Sequence, residues 1–311
     1  MKFGFAPLNH ASSMPPSRLG ALLEERGFES VWMPEHTHIP VQRDSEYVAG
    51  GELPAAYYEM MNPFVSLAAM SVTTDHLVLA TGVVQLLEHD LIDLAKTVAS
   101  LSAIAGPRLL MGAGAGWNRE ELANHRPDIP FAQRYHAIEE RIDALRVIWS
   151  ADQPEFTGRW DRFTASHINP KPVGGPVPIA LGMSGPIGLR LSARKADEWV
   201  PIDAFLRNEE GRADIGGWVL RFRQLVEDCG RDPDSVPIRM IYSGPVKARR
   251  LDTCREAGLA GVIFLAADLN RVDDPDAAPR RLDEIGSFMD EYASRPEAAQ
   301  ASVAPAPAPV K

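Results

Sequence analysis

The most informative stretch of the sequence is Arg108–Asn118, which reads RLLMGAGAGWN. A short apolar run leads into three alternating glycines, Gly112, Gly114 and Gly116. A buried strand that ends in a glycine-rich loop lets backbone N–H groups approach a phosphate closely. Glycines also occur where a barrel strand bends or a turn is tight, so this stretch alone leaves both interpretations open.

The composition limits the class of protein. The chain has 311 residues, 45% hydrophobic content and a formal net charge of -10. This length suffices for one large α/β barrel or for two smaller domains. The acidic balance argues against a nucleic-acid surface, and no apolar stretch approaches the length of a membrane span. The two cysteines, Cys229 and Cys254, lack a metal-type spacing. We therefore expect a cytoplasmic protein that binds neither nucleic acid nor membrane.

Apolar strands and amphipathic helices alternate on both sides of the opening stretch. Such β–α units predict either a closed parallel barrel or a doubly wound sheet, and their count of eight favours an α/β fold of the (β/α)8 TIM-barrel type. The predicted strands are Lys2–Ala6, Ser30–Met33, His76–Thr81, the opening stretch up to its glycines, Val177–Leu181, Glu198–Val200, Ile238–Tyr242 and Gly261–Leu265.

The remaining sequence predicts insertions and a tail. Insertions follow strands 2 and 4, and another lies around residues 151–176. The last one still contains core formers such as Trp160 and Phe163, so we interpret it as an excursion rather than a linker. Residues 1–293 are predicted to form a single domain, with the helix after strand 4 at Phe131–Trp149. The Ala/Pro-rich residues 294–311 lack core formers and are predicted to be disordered.

In a (β/α)8 barrel the chemistry lies on the loops after the strands. After strand 5, Ser184 is predicted to cap a helix that Pro186 begins, so that free N–H groups point above the barrel. An ordinary helix cap gives the same pattern. Two glycine-rich strand ends on adjacent strands favour a phosphorylated cofactor across them. The loops with unusual sequence are Glu35–Asn62, Gly82–His89, Gly112–Asn118 and Gly182–Pro186.

His36 follows strand 2 directly and has Glu35 as its neighbour. A carboxylate can orient an imidazole or raise its pKa, which suits a proton donor near neutrality. A histidine that is hydrogen-bonded within a loop is the alternative. His36 and His38 also form a His-x-His pair that could bind a divalent metal, but only Asp203 lies at a later strand end to complete such a site. We therefore predict no metal.

Four segments together resemble the luciferase-like monooxygenase superfamily of flavin- and deazaflavin-dependent barrel enzymes. They are Gly27–Pro40, Ala80–Leu86, Leu110–Glu121 and Pro170–Trp199. Their order and spacing agree with the family, and the match covers most of residues 1–200. The segment around His36 resembles the branch that uses the deazaflavin coenzyme F420.

The resemblance also implies roles for single residues. The bond that matches Gly82-Val83 is a non-prolyl cis peptide in the family, and its bulge supports the tricyclic ring. Glu35 and His36 match an acid that binds the cofactor and a histidine that serves the proton step. His36 is the one predicted catalytic residue. The predicted cofactor-binding residues are Glu35, Gly82, Val83, Gly112, Gly114, Asn118, Gly182, Met183 and Ser184.

One position departs from that branch. Its sugar-phosphate dehydrogenases carry a catalytic carboxylate after strand 4, where this chain has Ala115. We therefore predict an F420-dependent oxidoreductase that transfers hydride between the deazaflavin and an unidentified organic substrate other than a sugar phosphate, and a homodimer is compatible with the sequence. An FMN-dependent monooxygenase, a metal-dependent hydrolase built on His36 and His38, and a non-catalytic flavin-binding barrel are the alternatives.

Overall fold

A computed structural model describes residues 1–48, 50–245, 247–265 and 277–294. Most of its strands are short and buried, as expected for a parallel barrel that helices cover on the outside. The strands are β1 (Lys2–Ala6), β2 (Ser30–Met33), β3 (Val78–Thr81), β4 (Val84–Gln85), β5 (Leu109–Gly114), β6 (Phe156–Thr157), β7 (Arg162–Phe163), β8 (Ile179–Leu181), β9 (Glu198–Trp199), β10 (Arg239–Tyr242) and β11 (Gly261–Leu265).

Eight of these strands form one parallel sheet in the order β10-β11-β1-β2-β3-β5-β8-β9, and the short β4 pairs with β5. Parallel bridges between Trp199 and Ile238 and between Ile202 and Ile241 join β9 to β10. The two ends of the sheet therefore meet, and the sheet closes into the predicted (β/α)8 barrel. The carboxyl ends of β2, β3, β5 and β8 lie side by side on this barrel.

Helices surround the barrel. Asp90 shows why one of them begins where it does, because its carboxylate accepts hydrogen bonds from the N–H groups of Ile92 and Asp93. The helices are α1 (Pro16–Glu25), α2 (Pro63–Ser71), α3 (Leu91–Ala105), α4 (Arg119–His125), α5 (Arg134–Ser150), α6 (Pro186–Lys195), α7 (Ile215–Asp228), α8 (Ala248–Glu256) and α9 (Ala277–Ala293). Among the described residues, no helix has the length and apolar character that a membrane crossing requires.

The core has two parts, as in other barrels of this type. The larger part packs the helices on the outside of the sheet. The smaller part fills the barrel interior, where the fully buried Trp32 is accommodated because several of its neighbours are alanines. Each strand of the barrel contributes to this interior cluster, directly or through the residue that follows it: Ala6, Trp32, Ala80, Leu110, Ala180, Val200, Ile241 and Ile263.

The structure corrects several predicted boundaries. The fourth barrel strand was predicted to stop at its glycines, but β5 continues through Gly114. An additional helix, α4, precedes α5, because the Asn118 side chain accepts a hydrogen bond from the N–H of Glu121 and caps it. The excursion around residues 151–176 contains the β6–β7 hairpin. Except for Ser294, the predicted disordered tail lies outside the described residues.

Candidate active site

The barrel brings the predicted site residues to one end. His36 follows β2, Gly82 and Val83 follow β3, Asn118 follows β5 and Ser184 follows β8. These four strands are consecutive neighbours in the sheet. Because the carboxyl ends of parallel strands meet at the same edge, the four loops surround one space above the barrel.

The Gly82-Val83 peptide bond is cis, as the resemblance implied. The glycines of β5 lie against the same region. A Cβ on Gly112 would lie 2.0 Å from the carbonyl oxygen of Thr81, and a Cβ on Gly114 would lie 2.6 Å from Cγ2 of Val83. Glycine at these two positions therefore lets β5 pack closely against β3 and the Val83 side chain. A contact of either glycine with a phosphate stays a prediction.

His36 is buried, and both of its ring nitrogens have partners. Nδ1 lies 2.7 Å from Oε2 of Glu121, and Nε2 lies 3.3 Å from the indole N–H of Trp117, which donates to it. Nδ1–H donating to the carboxylate leaves Nε2 as the acceptor. A carboxylate that holds Nδ1–H fixes the tautomer and the ring orientation, and it stabilises the imidazolium when Nε2 gains a proton.

The carboxylate that orients His36 is not the one that the sequence suggested. Glu35 precedes His36 in the chain, but adjacent residues of an extended segment point to opposite sides. The Glu35 carboxylate accepts a hydrogen bond from the N–H of Gln85 at 2.8 Å and lies 3.0 Å from Nε2 of His89. Binding of a cofactor by Glu35 stays a prediction, and its oxygens already have partners within the protein.

No role was assigned to Glu121 from the sequence. The residue lies in the first turn of α4 and is 1% exposed. Besides pairing with His36, its carboxylate accepts a hydrogen bond from the N–H of Thr37 at 3.1 Å. The capping signal of Asn118 followed three residues later by Glu could have located the helix start, but no local signal pairs Glu121 with a residue 85 positions earlier.

Aromatic rings cover His36 from the insertion after β2 and from the loop after β5. The ring centroid of Tyr57 lies 5.1 Å from that of His36, and the centroid of Trp117 lies 5.7 Å from it. The hydroxyl of Tyr57 lies 3.3 Å from that of Tyr47. Burial, followed by this contact, raises the pKa of Tyr57 above its usual range, so its hydroxyl stays protonated.

Several polar atoms in this region are buried and have no hydrogen-bond partner within the described structure, and three of them belong to the strand-end loops or to β4. They are Nδ2 of Asn118, Oε1 of Gln85 and Oγ of Ser184. Ser184 was predicted to cap α6, but the cap position belongs to Gly185 and no side chain bonds to the cap. Buried polar atoms without partners are costly, so these three donors and acceptors are available to a ligand.

The end of the barrel near Ser184 also contains a half-buried cation. Tyr135 packs near Gly188 in the first turn of α6, since a Cβ on that glycine would lie 3.1 Å from Cε1 of Tyr135. Arg134 donates to the hydroxyl of Tyr135 at 3.4 Å and stacks on Phe131, and its Nε lacks a partner among the described residues. Burial lowers the pKa of Arg134 from its usual value. Sequence reasoning did not single out this arginine.

The backbone of Gly182–Ser184 was assigned to the cofactor by resemblance. The N–H of Gly182 donates to the carbonyl of Ala113 at 3.3 Å, and the carbonyl of Met183 accepts from the indole of Trp199 at 3.1 Å. The segment is thus held in place by β5 and β9. Contact of these residues with a cofactor stays a prediction.

The structure brings no metal site together in the part of the chain that it describes. There, no three His, Cys, Asp or Glu side chains form a group that could hold an ion. His38 contacts Thr37 and Asn124, at 2.9 and 2.8 Å. The carboxylate of Asp203 accepts from Ser243 and from Arg250.

Comparisons with known proteins place these observations in a family. Residues 9–305 match the family described as luciferase-like monooxygenase. The chain is 34% identical over 288 residues to the uncharacterized protein Rv0953c of Mycobacterium tuberculosis, and this match covers 91% of this chain and 97% of that protein. It is 28% identical over 298 residues to the F420-dependent glucose-6-phosphate dehydrogenase of Nakamurella multipartita, covering 92% of this chain and 80% of that enzyme.

Solved structures share the fold. An F420-dependent secondary alcohol dehydrogenase in complex with an F420-acetone adduct superposes with a TM-score of 0.67 at 16% identity, over 89% of this chain and 97% of that one. The monooxygenase RslO1 from Streptomyces bottropensis superposes with a TM-score of 0.63 at 19% identity, over 94% and 82% of the two chains. Since the family match spans nearly the whole chain, this protein belongs to the luciferase-like monooxygenase family and is an oxidoreductase.

Proposed function

We propose that the protein is an F420-dependent oxidoreductase that transfers hydride between the deazaflavin and an organic substrate, with His36 serving the proton step. The observation that carries the proposal is the buried His36–Glu121 pair, whose Nδ1–Oε2 distance is 2.7 Å, at the barrel end that also holds the cis Gly82-Val83 bond. A relative with 28% identity that is named as F420-dependent supports the choice of cofactor.

The polar atoms of the site fit such a cofactor. The unpartnered Nδ2 of Asn118 is a donor and Oε1 of Gln85 is an acceptor, which suits the carbonyl and N–H groups of a pyrimidine-type ring edge. Oγ of Ser184, at the N-terminus of α6, suits a phosphate, because a helix N-terminus favours anions. Arg134 is the nearby cation that would complement the charge of that phosphate.

Coenzyme F420, when bound, supplies or accepts a hydride. In the direction of substrate reduction, His36 in its imidazolium form gives the proton on Nε2 to the substrate atom beside the carbon that gains the hydride. The ring becomes neutral and keeps Nδ1–H directed at the Glu121 carboxylate, whose Oε2 lies 2.7 Å from Nδ1. In the oxidation direction, neutral Nε2 takes that proton back.

The rings of Tyr57 and Trp117 shield this exchange from solvent on the open side of His36. A dry environment strengthens the attraction between the imidazolium and Glu121. The N–H of Trp117 can donate to Nε2 of His36 only when that nitrogen carries no proton. We therefore expect the indole to move away from His36 when Nε2 is protonated.

Titration of the purified protein with F420 and with FMN under anaerobic conditions tests the cofactor. We expect saturable F420 binding, seen as a change in its fluorescence, and at least tenfold weaker FMN binding. Ser184→Ala and Asn118→Ala should each weaken F420 binding by about tenfold, the loss of one hydrogen bond to a polar or charged group. His76→Ala is the matched control, since His76 is exposed.

Tight FMN binding with substrate-dependent oxygen uptake would replace this proposal by the FMN-dependent monooxygenase. A panel of alcohols, ketones and activated alkenes, with glucose 6-phosphate included, then tests for hydride transfer through the absorbance of the deazaflavin. Since Ala115 stands at the position of the carboxylate used for sugar phosphates, glucose 6-phosphate should not be turned over. Binding of F420 without turnover of any acceptor would favour a non-catalytic carrier.

A further inference from the structure

A cavity of about 440 Å³ lies beside the 3-10 helix that follows β4. It lies between the segment Leu87–Ile92, the end of α4 and the β6–β7 hairpin. Its lining is rich in ionisable groups, and the mechanism above uses none of them. Those that matter for the argument are Glu88, His89, His125, Arg126, Arg141 and Asp161.

Glu88 connects this cavity to the His36 pair. It lies at the end of the short 3-10 helix Leu86–Glu88 and is 6% exposed. Its Oε2 accepts a hydrogen bond from the hydroxyl of Thr37 at 3.3 Å. Thr37 also brings Glu88 next to Glu121, because its backbone N–H donates to Oε1 of Glu121 at 3.1 Å while its hydroxyl donates to Glu88. Two carboxyl groups can form a hydrogen bond with each other only when one of them carries a proton.

The charges around Glu88 favour a proton on Glu88 rather than on Glu121. Glu121 has its own donors, Nδ1–H of His36 and the N–H of Thr37, which stabilise its anionic form. Burial, then the negative charges of Glu121 and Glu35, raises the pKa of Glu88 to about 9, and the hydrogen bond from Thr37 opposes the shift.

The cations near Glu88 are occupied elsewhere. Arg141 pairs with Asp161 at 2.6 Å, and Arg126 pairs with Asp128 at 2.8 Å. His89 contacts Glu35, and Nε2 of His125 contacts the hydroxyl of Thr37 at 2.8 Å. No ion pair of Glu88 with Lys, Arg or His occurs among the described residues, so a proton is the remaining way to neutralise it.

We propose that Glu88 is a positioning residue for His36: as a carboxylic acid it donates its O–H to Glu121, which in turn accepts Nδ1–H from His36. The chain of contacts Glu88–Glu121–His36 then holds one negative charge instead of two. Loss of the Glu88 proton puts two carboxylates in contact and breaks the bond that aims Glu121 at the imidazole. This role rests on the proposed function only for its effect on turnover, since the effect on His36 exists without cofactor.

Two substitutions of Glu88 distinguish the effect of its proton from the effect of its side-chain volume. Glu88→Gln keeps a donor of the same length but cannot lose a proton. Glu88→Leu keeps much of the volume and removes the donor. Glu198→Gln is the matched control, because Glu198 is also a buried glutamate but lies at the start of β9, at the opposite end of the barrel.

The first measurement follows the His36 ring by ¹⁵N NMR in the protein without cofactor, from pH 6 to pH 10.5. In the wild type, the His36 signals should shift with an apparent pKa of about 9, the value for Glu88. This transition should be absent in Glu88→Gln and unchanged in Glu198→Gln. If the wild-type signals do not respond in that range, or if Glu88→Gln retains the response, Glu88 does not carry the proton.

The second measurement is the pH profile of kcat with F420 and an accepted substrate. Glu88→Gln should keep kcat within about twofold at pH 7 and lose the decline near pH 9, whereas Glu88→Leu should lower kcat by about tenfold with little change in KM. An unchanged kcat in both variants would show that Glu88 only fills space, and an equal loss in both would show that a donor at this position is not sufficient; either result would overturn the proposal. Failure of F420 to bind would overturn the proposed function, while the NMR titration would still decide the role of Glu88.

Discussion

The two ends of the barrel both bury clusters of glutamates, and the clusters are neutralised in different ways. At the amino end of the strands, Arg239 reaches Glu29 and Glu198, each at 3.0 Å, and Lys2 reaches Glu29 at 3.0 Å. Permanent cations partly compensate these carboxylates, and the ion pairs join β9, β10 and the start of β2.

At the carboxyl end, Glu35 and Glu121 contact histidines, and Glu88 contacts a threonine. Within the described ranges none of the three forms an ion pair with Lys or Arg. Histidines and carboxylic acids gain and lose protons near neutral pH, whereas arginine does not. A buried acidic cluster that is paired with Arg or Lys can stabilise a fold through its ion pairs. A buried acidic cluster without Arg or Lys can instead hold and position protons.

The largest effect should follow from removing the proton-transfer group. His36→Ala should lower kcat by about a thousandfold while F420 affinity changes less than threefold, because general acid–base catalysis contributes factors of this size. Stopped-flow absorbance of the deazaflavin and a fluorescence titration measure the two quantities, with His76→Ala as control. A collapse of F420 affinity with unchanged kcat would make His36 a cofactor contact instead.

The cluster at the amino end should show the opposite behaviour. Arg239→Met leaves Glu29 and Glu198 without their shared cation, so the free energy of unfolding should fall by about 3 kcal/mol. Urea denaturation measures this loss. The kcat of the folded variant should stay within twofold of the wild type, and a large loss of kcat would contradict the separation of the two ends.

Glu121 should have the next largest effect on catalysis. Glu121→Gln removes the carboxylate that accepts Nδ1–H of His36 and stabilises the imidazolium, so kcat should drop by about a hundredfold. Steady-state kinetics measure this loss. Glu120→Gln is the neighbouring control, because Glu120 accepts from the N–H of Asp44 and does not contact His36. Similar losses in both variants would indicate damage to α4 rather than to His36.

The smallest effects are differences in the pH dependence of stability. Burial, which the charge of Arg239 partly opposes, raises the pKa of Glu198 to about 7 from a model-peptide value of 4.5, and the pKa of Glu88 is raised to about 9. A raised carboxyl pKa stabilises the folded state at low pH, and this contribution is lost as the pH rises from the unfolded value through the folded one.

Glu198→Gln should therefore gain stability relative to the wild type between about pH 4.5 and pH 7, and Glu88→Gln should keep gaining up to about pH 9. Thermal or urea unfolding across this range measures both differences. If the two variants gained stability over the same pH range, Arg239 would not be the cause of a difference between the two clusters.

The sequence predicted much of the fold because the relevant signals are local. Strands such as Ser30–Met33 are short apolar runs, and their order along the chain is enough to count eight β–α units. The start of α3 also has a local signal, because Asp90, a residue type that favours the N-cap position, directly precedes the helix and caps it. The helix α4 was missed because its seven residues are too few to show a periodic apolar face.

The candidate site was predictable only in part. The position of His36 after β2 and the cis bond at Gly82-Val83 follow from segments that can be matched one at a time. Glu35 was predicted to be the carboxylate that orients His36, and this was wrong, because the Glu35 carboxylate contacts His89 instead. Gly112 and Gly114 also have a packing role that the sequence did not reveal, because the atoms that a Cβ there would meet belong to Thr81 and Val83, which are distant in the chain.

The number of barrel units, the end of the barrel that carries the candidate site and the position of His36 at that end could be predicted from the sequence alone, because each depends on residues close together in the chain. The pairing of Glu121 with His36, the contact of Glu88 with Thr37 and the ion pairs of Arg239 with the glutamates of the other end become apparent only in the folded structure. Protonation depends on burial and on charges brought from distant segments, and these exist only after the chain has folded.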